Sequence, residues 1–178
     1  MADIAFLLLI FFLVTTTMDT DSGLARKLPP PVPEDEEPPP PIKDRNVFEV
    51  LINAQNRLLV EGEPMQIDEL RDEAKEFIKN PADDPSLPAK EDKEIDYFGV
   101  YPVTKGVISL QNDRGTQYQM YLSVQNELAA AYNELRNELA QSKFGKEFDE
   151  LEEDKQEAIR DIYPQKISEA EPKNVGGN

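Results

Sequence analysis

Apolar and polar positions divide the chain into an apolar start, a proline-rich segment and a longer amphipathic region. Residues 2–18 (ADIAFLLLIFFLVTTTM) show no polar face, and Asp3 is their only charged residue. A helix of about 17 residues at about 1.5 Å each reaches about 25 Å, the short end of a membrane span. The pattern therefore predicts a transmembrane helix over residues 1–18, whose last carbonyls are satisfied by Thr15, Thr16 and Thr17.

A cleaved signal peptide is the main alternative for this apolar run, because the apolar core of such a peptide commonly has about 7–15 residues. A signal peptide begins with a basic region, whereas the only charged side chain at this start is that of Asp3. No cytoplasmic segment precedes the run, so we expect the natural chain to begin upstream with a short polar tail. Arg26 and Lys27 follow two aspartates, so charge alone does not orient the helix.

Residues 19–45 are predicted to be a linker because proline and acidic residues dominate them. Three prolines follow Leu28, four acidic residues occupy Glu34–Glu37, and Pro38–Pro41 come next. Runs of proline favour the extended polyproline II helix, and like charges stiffen a chain further. The linker is therefore interpreted as a semi-rigid spacer that holds a domain away from the membrane.

The amphipathic region alternates between a two-residue period and a helical period. Strands are predicted over residues 47–53, 57–61, 107–111 and 166–170, and helices over residues 68–79, 117–142 and 146–162. The helix over 117–142 carries an apolar stripe at spacings of three and four residues, and the charged helix over 146–162 turns four apolar residues inward: Phe148, Leu151, Ile159 and Ile162. Residues 62–64 (GEP) are expected to break the strand pattern.

Residues 81–105 are acidic and contain proline, so they are predicted to be a surface excursion whose apolar piece, residues 97–101, docks on the domain. The predicted order is strand, strand, helix, strand, helix and strand, with an added helical hairpin. This order predicts a small α+β domain on one sheet over residues 46–172, followed by a flexible tail over residues 173–178.

Composition narrows the chemistry that this domain can perform. The chain has 36 acidic and 19 basic residues, and its net charge of −17 argues against nucleic acid or an anionic lipid surface as the main partner. It has no Cys and no His, which removes Cys nucleophiles, His general bases and Cys/His metal sites. We therefore expect a protein that is not an enzyme and that uses no cofactor or metal.

Asp3 is the candidate functional residue. A carboxylate on a helix at membrane depth costs about 2.5–3.5 kcal/mol on insertion scales, so it usually marks a proton or ion pathway. The simpler alternative is a polar residue near a frayed helix start. On position alone the two interpretations are equally favoured, and the organisation of the rest of the chain favours the functional one.

Several stretches of sequence resemble one known family. The closest is ADIAFLLLIFFLVTT, in which an aspartate precedes a long aliphatic run, and the others are RKLPPP, LINAQNRLLVEGEP, VISLQNDRGTQYQMYLSVQNEL and KISEAEP. Together they resemble the ExbD/TolR family of biopolymer transport proteins, in which Tyr118 would hold the position of a tyrosine that follows a charged turn. The long, acidic, proline-rich form resembles ExbD proteins of the Bacteroidetes lineage.

The resemblance implies a membrane-embedded, energy-transducing function. In the family, a homodimer of these helices sits in the pore of a pentameric ExbB/TolQ-type channel, and Asp3 would carry the coupling proton. A single-pass protein of the bacterial inner membrane is implied, with its domain in the periplasm, passing motion to a TonB- or TolA-like protein. Leu28 and Pro29 would belong to an extended docking strand, although a plain linker is equally favoured there.

Other classes of protein remain open at this point. A TolR-like subunit of the Tol envelope-integrity system would use the same proton chemistry, and a secreted or tethered acidic binding domain would use none. A flagellar stator subunit is disfavoured because it adds a large peptidoglycan-binding domain. Residues 81–105 and 137–165 are longer than in a minimal family domain, and the added helix is expected to be peripheral.

Overall fold

The computed structural model describes residues 2–15 and 43–169, which fall into two units. The first unit contains one helix, α1 (Ala2–Thr15). Most of the predicted linker and the whole of the predicted tail lie outside the described residues. The second unit contains the elements β1 (Val47–Ile52), β2 (Leu58–Val60), β3 (Glu63–Met65), α2 (Ile67–Lys79), β4 (Lys90–Ile95), β5 (Gly99–Thr104), β6 (Val107–Asn112), α3 (Tyr118–Phe144), α4 (Glu153–Ile162) and β7 (Ile167–Glu169).

A five-stranded mixed sheet in the order β3-β2-β1-β6-β7 forms the centre of the domain. Strands β1, β2 and β3 pair antiparallel, whereas β1, β6 and β7 run parallel. Parallel neighbours require long crossovers, and here the crossovers contain the helices. The predicted α+β class is confirmed, and the strands predicted over 47–53, 57–61 and 107–111 correspond to β1, β2 and β6.

Helices α2 and α3 pack on one face of this sheet. Alternate residues of the strands point into the core, and α2 and α3 contribute one apolar stripe each. The strands supply Phe48, Val50, Ile52, Leu58, Val60, Ile108 and Leu110 to the core cluster, and the helices supply Leu70, Ala74, Phe77, Val124, Leu128, Tyr132 and Leu135. The rings of Phe48 and Phe77 lie 4.9 Å apart between sheet and helix. The apolar stripe predicted for residues 117–142 is therefore the face by which α3 joins the core.

The prediction of a simple break at residues 62–64 is wrong, because β3 forms there. Glu61 and Gly62 both have positive φ, at 52° and 83°, and this turn returns the chain antiparallel to β2. Pro64 lies opposite Leu59. Proline has no N–H to donate and is tolerated because β3 is an edge strand.

The prediction of one sheet is also wrong, because residues 81–105 contain a second one. Strands β4 and β5 form an antiparallel pair joined by a turn at Asp96–Phe98. Most of β4 is charged and exposed, so it lacks the alternation that marks a strand, and only Ile95 is buried there. The predicted docking of the apolar piece is confirmed, since Phe98 packs against both apolar clusters of the domain.

The helix predicted over residues 146–162 is shorter in the structure. Residues 148–150 form a 3-10 turn, Leu151 and Glu152 are extended, and α4 begins only at Glu153. The acidic first turn of α4 complements the helix dipole. The predicted inward side chains are nevertheless confirmed, because Phe148, Leu151, Ile159 and Ile162 are all buried.

Candidate functional site

Helix α1 presents apolar side chains in every direction. Eight large apolar residues are each between 44% and 64% exposed within the chain: Ile4, Phe6, Leu7, Leu8, Leu9, Ile10, Phe11 and Phe12. A helix without a polar face has its lowest free energy in lipid or among other apolar helices. Asp3 lies in the first turn and is the only ionisable side chain from Ala2 to Thr15.

The other predicted site residues are only partly described. Thr15 is the last residue of α1, while Thr16, Thr17, Leu28 and Pro29 lie outside the described residues. Among the residues that are described, no helix combines the length and apolar character needed to cross a membrane.

Three acidic residues of α3 have partners on α2: Glu127, Glu134 and Glu138. A row of ion pairs joins α2 to α3: Arg71 contacts Glu127 and Glu134 at 2.8 Å each, and Lys75 contacts Glu134 at 2.9 Å and Glu138 at 2.8 Å. Hydrogen bonds from these cations hold the pKa values of Glu134 and Glu138 below their ordinary range. These ion pairs therefore join α2 to α3 at the surface of the domain.

The buried guanidinium of Arg136 connects α3 to residues 145–166, the segment that contains α4. The guanidinium of Arg136 donates to the carbonyl of Tyr163, at 2.8 Å from Nη2 and 3.2 Å from Nε. Arg136 is 9% exposed, and its burial lowers the pKa of the guanidinium. The carbonyl of Tyr163 lies at the C-terminal end of α4, where the positive charge of Arg136 complements the helix dipole. The role of Arg136 is therefore to fix the segment that contains α4.

An aromatic contact joins the turn of the β4–β5 hairpin to the helices. The ring of Phe144 lies 5.8 Å from that of Phe98 and 6.2 Å from that of Tyr97. The hydroxyl of Tyr97 donates to Asp154 at the start of α4. The hairpin and the residues after α3 therefore support each other.

Sequence reasoning missed these polar contacts, although one had a readable signal. Arg71, Lys75 and Lys79 recur every four residues, and Glu134 and Glu138 do the same on α3, which is the pattern of two charged helix stripes. That these stripes face each other depends on the crossover between β1 and β6, which no local pattern reveals. Within residues 2–15 and 43–169 no cluster of three acidic side chains is arranged to hold a metal.

The chain combines an apolar helix that carries one carboxylate with a small α+β domain. The sequence profile described as "Biopolymer transport protein ExbD/TolR" matches residues 1–141, about four-fifths of the chain. The chain therefore belongs to the ExbD/TolR family, as its motifs predicted. A comparison with curated proteins gives no match.

Family membership supports a general role as an energy-transducing subunit in biopolymer transport. At the level of the family it implies an inner-membrane protein that works with ExbB/TolQ-type and TonB/TolA-type partners. The match ends at Gln141, so α4, β7 and the stretch KISEAEP lie outside the matched residues.

Proposed function

We propose that this chain is an ExbD-like subunit that couples the proton-motive force to TonB-dependent transport across the outer membrane. The observation that supports it is the single carboxylate of Asp3 on a helix that is apolar all round. In this proposal α1 belongs to the predicted membrane span over residues 1–18, paired with a second copy inside a pentameric ExbB-like channel. The domain lies in the periplasm.

In this proposal Asp3 takes up and releases the coupling proton, because a lone carboxylate on a helix at membrane depth usually marks a proton or ion pathway.

The proton supplies the energy for movement. One proton that crosses 100 mV provides about 2.3 kcal/mol. We propose that this energy rotates or shifts the two α1 helices within the channel. The linker, including Leu28 and Pro29, then transmits the movement to the domain and its TonB-like partner, while Thr15, Thr16 and Thr17 satisfy backbone carbonyls where the helix ends.

Replacing Asp3→Asn tests the proton-carrying role. Asparagine has nearly the same shape but cannot ionise, so the variant is expected to assemble with its channel while energy-dependent uptake falls to background. Asp3→Glu, which keeps the titratable group, is expected to retain part of the uptake. Asp19→Asn, at the next acid along the chain, is the matched control and should leave uptake unchanged. Full uptake by Asp3→Asn would refute the mechanism.

The same experiment separates the proposed role from a TolR-like one. Cells with Asp3→Asn are scored for TonB-dependent uptake and for leakage of periplasmic protein. Loss of uptake with an intact envelope supports the ExbD-like role, whereas leakage with normal uptake supports the Tol system. Sequencing the N-terminus of the mature protein tests the third class, because cleavage after Met18 would indicate a secreted binding domain.

A further inference from the structure

Buried polar side chains gather where the chain enters the domain. Tyrosines aside, four polar or charged residues are buried in the part of the chain that the structure describes, and one of them, Arg136, lies on α3. The other three are Asn46 directly before β1, Asn80 directly after α2, and Thr104 at the end of β5. A buried amide is costly unless it is hydrogen-bonded, so the partners of these side chains show what they hold in place.

Asn46 and its neighbour Arg45 bind the loop that connects α2 to β4. This loop, residues 80–89, is here called the clasp. Oδ1 of Asn46 accepts the N–H of Ala89 at 3.0 Å, and Nη1 of Arg45 donates to the carbonyl of Pro85 at 3.3 Å. Both residues belong to the 3-10 turn Asp44–Asn46, which directly precedes β1. The residues that lead into β1 are therefore bonded to the clasp.

The clasp is in turn fastened to the rest of the domain. Nδ2 of Asn80 donates to the carbonyl of Pro88 at 3.1 Å, which ties the clasp to the end of α2. The carbonyl of Ala89 accepts the N–H of Lys105 at 2.8 Å, two residues before β6. A bonded path therefore runs from Asn46 through Ala89 to the start of β6.

We propose that the clasp carries part of any pull that reaches the domain through the linker. Asn46 lies between Lys43 and β1, so a pull on Lys43 reaches the clasp as it reaches β1. Most of the clasp belongs to residues 81–105, the segment that is longer than in a minimal family domain. The inference rests on the proposed function only in so far as that function supplies the pull.

Burial explains why the bond of Asn46 withstands a pull. The side chain is 6% exposed, so water cannot replace the N–H of Ala89 until the turn has moved away. Replacing Asn46→Ala removes the acceptor and leaves that N–H without it. An interaction that is already broken in the transition state changes the unfolding rate, whereas one that is still intact there does not. The direction of the pull therefore distinguishes the clasp from ordinary packing.

Constant-force spectroscopy of the full chain in detergent micelles tests the proposal. The chain has no cysteine, so two introduced cysteines are its only attachment points. The pair Lys43→Cys and Lys146→Cys loads the turn before β1 and is called the linker pull. The pair Gln55→Cys and Lys146→Cys loads the other end of β1 and is called the hairpin pull. All three positions are exposed.

Asn46→Ala is expected to shorten the lifetime of the folded domain about tenfold in the linker pull, which corresponds to about 1.4 kcal/mol. In the hairpin pull the same variant should change the lifetime by less than about twofold, because the clasp is intact when β1 begins to open. Asn133→Ala, at an exposed position of α3, is the matched control and should change neither lifetime. Equal shortening in both pulls, or none in the linker pull, would overturn the proposal.

Two further measurements keep the test decisive. Arg45→Ala changes an exposed side chain and is expected to shorten the lifetime about twofold in the linker pull alone, even if Asn46→Ala does not fold. In Asn46→Ala the amide of Ala89 should exchange its hydrogen faster, and unchanged exchange there would also overturn the proposal. None of these readouts involves proton flow, so failure of the clasp and failure of the role of Asp3 are separate results.

Discussion

Replacing Ile159→Ala measures whether α4 belongs to the cooperative core of the domain. Ile159 is 0% exposed and lies in an apolar cluster with Ala140, Phe148 and Leu151. The change removes three carbons, worth about 2.4 kcal/mol at about 0.8 kcal/mol each, and the cavity that remains adds a further penalty. We therefore expect the free energy of unfolding to fall by about 3–4 kcal/mol.

Urea unfolding of the full chain in detergent micelles, followed by far-UV circular dichroism, is the assay. With a slope of about 2 kcal/mol per molar urea, the midpoint should fall by about 1.5–2 M. Glu157→Ala, at an exposed position of α4, is the matched control and should change stability by less than about 0.5 kcal/mol.

Hydrogen exchange separates the two ways in which this reasoning could fail. If residues 146–169 open independently of the sheet, Ile159→Ala will speed amide exchange only in that segment and leave the urea midpoint unchanged. That result would show that the residues beyond the family match are an accessory layer. A lowered midpoint with faster exchange throughout residues 43–169 would show that they belong to one folding unit.

Three further outcomes are expected. The ion pairs of Lys75 should stabilise the domain fully between about pH 5 and pH 10. The pKa of Glu138 is lowered in the folded state, so its contribution to stability is lost as pH falls, and the pKa of Lys75 is raised, so its contribution is lost as pH rises. Glu138→Gln should therefore cost roughly 0.5–1 kcal/mol at pH 7 and flatten the acid limb of a pH–stability curve. Gly106→Ala should destabilise by about 1–3 kcal/mol in the urea assay, because the added carbon would stand 2.9 Å from the ring of Phe77, and an unchanged midpoint would contradict this packing. Deleting Pro38–Pro41 shortens the linker by about 12 Å and should reduce transport more than it reduces assembly with the channel. Loss of the channel protein on co-purification would argue against the role of these residues as a spacer.

The elements that sequence predicted well are those with a strong local period. Strand β1 alternates buried and exposed residues, α3 carries one continuous stripe, and Asn80 and Gly145 end their helices with positive φ, as turn-forming residues do. Strand β3 has only three residues and includes a proline, and β4 is almost wholly charged. Neither strand shows the two-residue alternation by which a strand is recognised in a sequence.

Non-local contacts are the other part that sequence could not supply. The strand order places β6 beside β1 although 54 residues separate Ile52 from Val107. The sequence reasoning did not single out Arg136, whose burial depends on a carbonyl partner at Tyr163, 27 residues away. Asp3, in contrast, was recognisable from sequence because a lone carboxylate in an apolar helix needs no tertiary context to be unusual. Its proton-carrying role stays a prediction.

The position of β1 in the sheet determines how the domain bears tension. A pull through the linker enters the domain at β1, which is bonded on one side to β2 over three register positions and on the other to β6 over six. Because sheet hydrogen bonds lie across the strands, the component of such a load along β1 shears both ladders together. A tether attached to an edge strand, such as β3 or β7, would instead peel one ladder open bond by bond. The chain is thus joined to its domain at a mechanically resistant strand.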